Sequence, residues 1–149
     1  MASGGTEDAQ HERRVFVRTM LVTLVLAVPS MLLVSTWLMG WRDTRGACLA
    51  FWPQLAVGFL AMFGFTLASA PLLATRCARS PSLLGPFCAF LFAFGDAAGC
   101  LANWIGEGGG EWFDWFAKPF VWLLLFGALP AFLLGGVAML IHGWFDRRL

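Results

Sequence analysis

The sequence predicts an all-α integral membrane protein with four transmembrane helices arranged as two hairpins and a short interfacial helix before the fourth. Three observations predict it. The chain has 149 residues, 59% hydrophobic and only 13% charged, with mean hydropathy +0.74. That is too apolar and too charge-poor for an ordinary soluble domain of this length. Four apolar segments each reach the ~20 residues that a bilayer core requires. The Arg and Lys residues collect at the ends of those segments, mostly on one side.

Taken in order, residues 1–14 form a polar N-terminal tail of mixed charge. Glu7, Asp8 and Glu12 make it a poor transit peptide. The bundle then occupies 15–149. Span one, about Val15–Leu38, is too long for a signal-peptide apolar region. Ala27-Val28-Pro29 offers no good cleavage site, so this span reads as a retained first helix. A short outer turn, Met39–Gly46, leads to span two, Ala47–Ala74. Arg76 and Arg79 follow, then span three, Leu83–Trp104. A longer outer loop, Ile105–Trp115, precedes span four, Phe116–His142. In lipid each backbone polar group must be satisfied within its own segment, so each span is expected to be helical.

Orientation follows from the cations. Arg13, Arg14, Arg18, Arg76, Arg79, Arg147 and Arg148 fall on one side, and Arg42, Arg45 and Lys118 on the other. This predicts both termini in the cytoplasm of a bacterium, with the chain in the inner membrane; a mitochondrial inner membrane is the alternative. Trp37, Trp41, Trp52, Trp104, Trp112 and Trp115 gather near the outer face, as an interfacial aromatic belt does, while Trp144 marks the inner one.

Small residues mark where helices meet in lipid. Span three carries Gly95 and Gly99, a GxxxG pair, and span four carries Gly127, Ala131, Gly135 and Ala138. Span two offers Gly58, Ala61, Gly64 and Ala68, and span one Thr19, Thr23, Ala27 and Ser30. These stripes are expected to pack a compact bundle; docking of a partner helix on one stripe is the sharper reading. Pro29 and Pro130 fall mid-span, where each removes a helical hydrogen bond.

Asp96 is the one acidic or basic side chain far from a span end. At ~1.5 Å per residue it lies roughly 20 Å into the bilayer. A lone carboxylate there costs at least ~2.5–3.5 kcal/mol, so it should face protein or water and have a partner. Asn103 lies seven residues on, on the same helix face. Three readings stand. Asp96 is neutral or hydrogen-bonded to Ser, Thr or backbone; it belongs to a proton or cation path; or it pairs with a basic residue of a neighbouring subunit.

The outer loop is rich in glycine, acid and aromatics. Gly108–Gly110 cannot hold a stable helix. Beyond it, Trp112, Phe113, Trp115 and Phe116 interleave with Glu111, Asp114 and Lys118, the pattern of a short helix lying in the headgroups. With Glu107, this loop is either an anchor for span four or a docking surface for a partner. Its acid spacing matches no calcium loop.

His142 ends span four. A membrane His can ligate haem or a chlorophyll-type pigment, although an interfacial polar role is commoner. Cys48 and Cys100 both fall towards the outer side, within range of pairing if that side is oxidising, although free buried thiols are the commoner state. No CxxC, HExxH or Ser/His/Asp pattern is present, so no metal site and no catalytic residues are expected. The net charge of +1 gives no basic field for nucleic acid.

Residues Ser30–Ser35 (Ser-Met-Leu-Leu-Val-Ser), Gly40, Trp52, Ala70-Pro71-Leu72-Leu73 and the basic stop at Arg76 are similar to the first hairpin of the DUF2798 family of small bacterial membrane proteins of unknown function. The similarity covers about half the chain. It implies a bacterial inner-membrane location and no assigned activity. The second hairpin departs from that pattern.

These features lead to an expected role as a non-enzymatic accessory or structural subunit of a larger energy-transducing complex, respiratory or photosynthetic. Its partners would be the lipid bilayer and either larger subunits of the complex or copies of itself. No cofactor is expected. A small oligomeric transporter or channel using Asp96 is the alternative, and a pigment- or haem-binding protein the second alternative.

Overall fold

The computed structural model describes residues 4–50, 52–106 and 108–148, and among these all regular structure is helical. The long elements are α1 (Gly4–Met39), α2 (Trp41–Ala50), α3 (Trp52–Arg79), α4 (Leu84–Gly106) and α5 (Lys118–Asp146). A 3-10 turn, Pro81–Leu83, introduces α4, and a π-helical turn, Phe113–Ala117, introduces α5.

The four longest helices form an antiparallel ring. α3 packs on α4, α4 on α5, and α1 closes the ring against both α3 and α5. The register follows from facing residues. Gly58 meets Gly95, Gly85 meets Gly135, and Thr19 meets His142. Phe16 of α1 reaches across the ring to Phe87 of α4, with ring centroids 5.8 Å apart.

Burial concentrates at one end of the ring. Phe16 and Met20, Ala70, Ala74 and Cys77, Leu84, Cys88 and Leu91, and Ala138 form a single apolar cluster there. The cations Arg13, Arg14, Arg18, Arg76, Arg79, Arg147 and Arg148 surround that end and are all exposed. Past Thr23, no described side chain of α1 is buried.

Among the described residues, two helical segments are long and apolar enough to cross a membrane: Trp52–Arg79, with mean hydropathy 1.8 in its best stretch, and Pro81–Gly106, with 1.6. Most of each best stretch lies outside the protein's own core, 22% and 44% being buried. A soluble core helix shows the reverse, because its apolar stripe faces other helices.

Three features differ from the sequence expectation. The expected polar tail is helical from Gly4, with Glu7 in the first turn, where a carboxylate favours the helix dipole. His11 there approaches Asp146 at 3.9 Å, tying the start of α1 to the end of α5. The expected turn Met39–Gly46 is instead a glycine hinge followed by a ten-residue helix. Gly40 adopts φ +85°, a conformation that stops α1, and its N–H donates to Thr36 O at 2.9 Å. Thr44 Oγ1 then donates back to Gly40 O at 2.9 Å as α2 begins. Finally, the expected separate interfacial helix is the π turn Phe113–Ala117, which runs without a break into α5.

Candidate functional site

The seam between α3 and α4 is built by glycine. A Cβ on Gly58 would lie 2.8 Å from Gly95 O, and one on Gly99 would lie 2.7 Å from Gln54 O. Only hydrogen at these positions lets the two backbones approach so closely. The GxxxG pair therefore faces α3. The small stripe of α5 faces α4: Gly127 lies under the Phe92 ring, Gly135 lies against the backbone of Gly85, and Ala131 and Ala138 are buried.

Asp96 lies one residue beyond Gly95, so the glycine contact brings its carboxyl to the edge of α3. Cys100, one turn further along α4, donates its thiol proton to Asp96 Oδ1 at 3.5 Å. Gln54 of α3 donates from Nε2 to the Cys100 sulfur at 3.3 Å. The three side chains form one short polar chain across the seam, Gln54 to Cys100 to Asp96. Asp96 Oδ2 is shielded and has no hydrogen-bond partner among the described residues. A carboxyl group has capacity for several hydrogen bonds in either protonation state, and among the described residues this one uses a single, weak sulfur donor.

A cavity of about 50 Å³ adjoins the carboxyl, walled by Leu55, Phe59, Met62 and Phe92 as well as the glycines. It is large enough for a few waters and too small for a cofactor ring system. Asn103 lies two turns above Asp96, half-buried, and the hydrogen bond of Asp96 runs to Cys100 rather than to it. The partner expected from Ser, Thr or backbone is thus a thiol.

All four cysteines, Cys48, Cys77, Cys88 and Cys100, are free. Cys100 is engaged by Gln54 and Asp96 instead of Cys48.

His142 is buried between α1 and α5, with Nδ1 and Thr19 Oγ1 3.5 Å apart. Of the hydroxyls expected on the α1 stripe, Thr19 meets this seam, Thr23 is buried and donates to Thr19 O at 2.8 Å, and Ser30 donates to Leu26 O in an exposed position.

At the opposite end of the bundle, α4 stops in a Schellman cap. Gly109 N donates to Trp104 O at 3.0 Å, and Gly108 N to Ile105 O at 3.1 Å. Gly108 and Gly109 have φ of +76° and +72°, which glycine adopts without strain. Trp104 Nε1 then donates to Gly110 O at 2.9 Å. Trp104 meets Trp112 edge-on at 5.2 Å, and Trp112 stacks on Phe116 at 4.0 Å. Trp112, Phe113 and Glu111 are exposed. Glu107 lies outside the described residues, as does the side chain of Trp115.

The sequence reading missed Gln54 as a neighbour of this site and did not name Cys100 as the hydrogen-bond partner of Asp96. Gln54 carried a signal, being the one amide in the second span. No known family model, curated protein or solved structure matches this chain.

Proposed function

We propose that this protein is a non-catalytic subunit of a larger membrane complex, crossing the bilayer four times through α1, α3, α4 and α5. Two of these helices already meet the requirements of a span. α1 and α5, of 36 and 29 residues, are long enough at ~1.5 Å per residue to cross a core of ~30 Å. Their outward faces carry apolar side chains: Leu33 is 71% exposed, Leu133 63% and Leu140 76%. In water so much bare apolar surface would drive association. In lipid it is the normal exterior of a helix.

The cations at the end where α1 begins favour that end as the cytoplasmic side of a bacterial inner membrane. Trp37, Trp41, Trp52 and Trp112, all exposed, suit the opposite interface. Trp144 suits the near one, with Arg148 over its ring at 4.5 Å.

The observation that carries the subunit reading is Asp96 Oδ2, a shielded carboxyl oxygen with no hydrogen-bond partner among the described residues. A buried polar group of this kind costs free energy until something supplies the missing bond. Energy-transducing assemblies, respiratory or photosynthetic, are the class in which small helical subunits of this kind abound. Transport is the second reading, favoured by the Gln54–Cys100–Asp96 chain beside a cavity that accommodates water. A haem or pigment role for His142 receives less support, because its ring is buried against Thr19.

Mild-detergent purification from native membranes followed by native mass spectrometry separates these readings. The subunit reading expects a stoichiometric complex with larger, different chains. A colourless homo-oligomer without partners would replace it with transport.

A further inference from the structure

We infer that the flank where the start of α1 runs beside the end of α5 binds an anionic glycerophospholipid, its phosphate held by Arg14, Arg18, Arg147 and Arg148. The inference rests on the bilayer-crossing part of the reading above and adds a ligand to it. Two contacts set the register of this flank. His11 lies 3.9 Å from Asp146, and Thr19 Oγ1 lies 3.5 Å from His142 Nδ1. His11, Arg14 and Arg18 follow one another at spacings of three and four, so they share one face of α1. Because His11 reaches Asp146, that face runs beside the last turns of α5.

All four arginines are exposed. Among the described residues none is ion-paired, the one such contact being His11 with Asp146. Both arginines of α5 fold back along their helix towards the bilayer. Arg147 Nε donates to Gly143 O at 2.8 Å, and the Arg148 guanidinium lies over the Trp144 ring at 4.5 Å. Neither contact neutralises a charge. Glu7, Asp8 and Glu12 precede Arg14 and Arg18 on α1, and Asp146 is level with His11, so both α1 arginines lie on the membrane side of these acids.

The same two faces continue as apolar surface. On α1, Val22 and Val25 extend the stripe beyond Arg18, and both are exposed. On α5, Leu133, Val137, Leu140 and Trp144 form an exposed stripe that ends at Arg148. A phosphate beside the arginines would therefore have room for acyl chains along Val25 and Leu140. Clustered arginines at the inner end of a span attract anionic headgroups. The adjoining apolar faces select a lipid over a free phosphate or an acidic peptide, neither of which would cover them.

The test uses the full-length protein purified in dodecyl maltoside. It is mixed with equal amounts of dioleoylphosphatidylglycerol and dioleoylphosphatidylcholine, and native mass spectrometry reads the lipid retained. The phosphatidylglycerol adduct is expected to exceed the other roughly tenfold. Arg14→Gln with Arg18→Gln, and separately Arg147→Gln with Arg148→Gln, should each cut that ratio at least threefold. Arg42→Gln with Arg45→Gln, at the opposite end, should leave it unchanged. Glycerol 3-phosphate, which carries the phosphate without chains, should not displace the lipid at equal concentration.

Equal retention of the two lipids by the wild-type protein overturns the inference. So does a preference that survives in both inner-end variants, or one lost equally in the outer-end variant, which would reflect net charge alone. Displacement by glycerol 3-phosphate overturns it in favour of a free anion. Resistance to alkaline extraction from native membranes reports the bilayer reading separately. A protein that resists extraction and retains both lipids equally keeps that reading and loses this inference.

Discussion

Gly135→Ala should unfold the bundle far more readily than the same change at the next residue. A Cβ at Gly135 would overlap Gly85 Cα and lie 3.0 Å from its nitrogen. Backbone cannot swing aside as a side chain can, so α4 and α5 must separate along the seam. Overpacking of this kind costs about 1–3 kcal/mol, and the backbone obstacle places it at the upper end. Gly136 has nothing within 4 Å of its Cβ position, so Gly136→Ala should stay within ~0.5 kcal/mol of wild type. Gly127→Ala should fall between them, because its obstacle is the Phe92 ring, which can move. Thermal or denaturant unfolding of the detergent-solubilised protein by circular dichroism gives the order. Equal effects at Gly135 and Gly136 would show that the α4/α5 seam is not packed as described.

Asp96→Leu should have opposite effects on the isolated protein and on its assembly. In isolation the change removes a shielded oxygen that lacks a donor, at the loss of one sulfur hydrogen bond. The adjoining cavity of about 50 Å³, walled by Leu55, Phe59, Met62 and Phe92, has room for the branched side chain. The purified variant should gain about 1–3 kcal/mol, the usual cost of an unsatisfied buried polar group. Recovery of partners from native membranes should fall roughly tenfold, as expected when an interhelical polar contact is removed. A variant that is less stable alone and assembles normally would make Asp96 a structural residue of the seam.

The segments Trp52–Arg79 and Pro81–Gly106 were legible because hydropathy reports the solvent that a segment suits, and both are apolar over a length that could cross a membrane. The seams were legible for a related reason. Lipid offers no hydrophobic drive between helices, so close approach depends on small residues, and Gly95, Gly99, Gly127 and Gly135 are small at helical spacing. All four lie where helices touch.

The site was legible only in part. Asp96 stands out by charge alone, but its neighbours depend on how α3 rotates against α4, which no local pattern encodes. Gln54 and Cys100 are 46 residues apart and meet because Gly99 lets the backbones close. The expected partners Ser and Thr turn inward on their own helices instead: Thr66 donates to Met62 O and Ser30 to Leu26 O. The segment after Gly40 was misread because Trp41–Ala50 carries Arg42, Asp43 and Arg45, a charge density that signals a loop between spans. A short helix at an interface is equally polar on its wet face. The π turn Phe113–Ala117 has no sequence signature of its own.

Four crossings are the claim on which the rest of this account stands, and accessibility of single cysteines tests it most directly. In a Cys48→Ser background, Glu111→Cys should react with an impermeant maleimide in intact cells. Asp8→Cys and Arg148→Cys should react only after the membrane is opened. Labelling of all three from the same side, or of Asp8→Cys and Arg148→Cys from opposite sides, would contradict the four-crossing bundle.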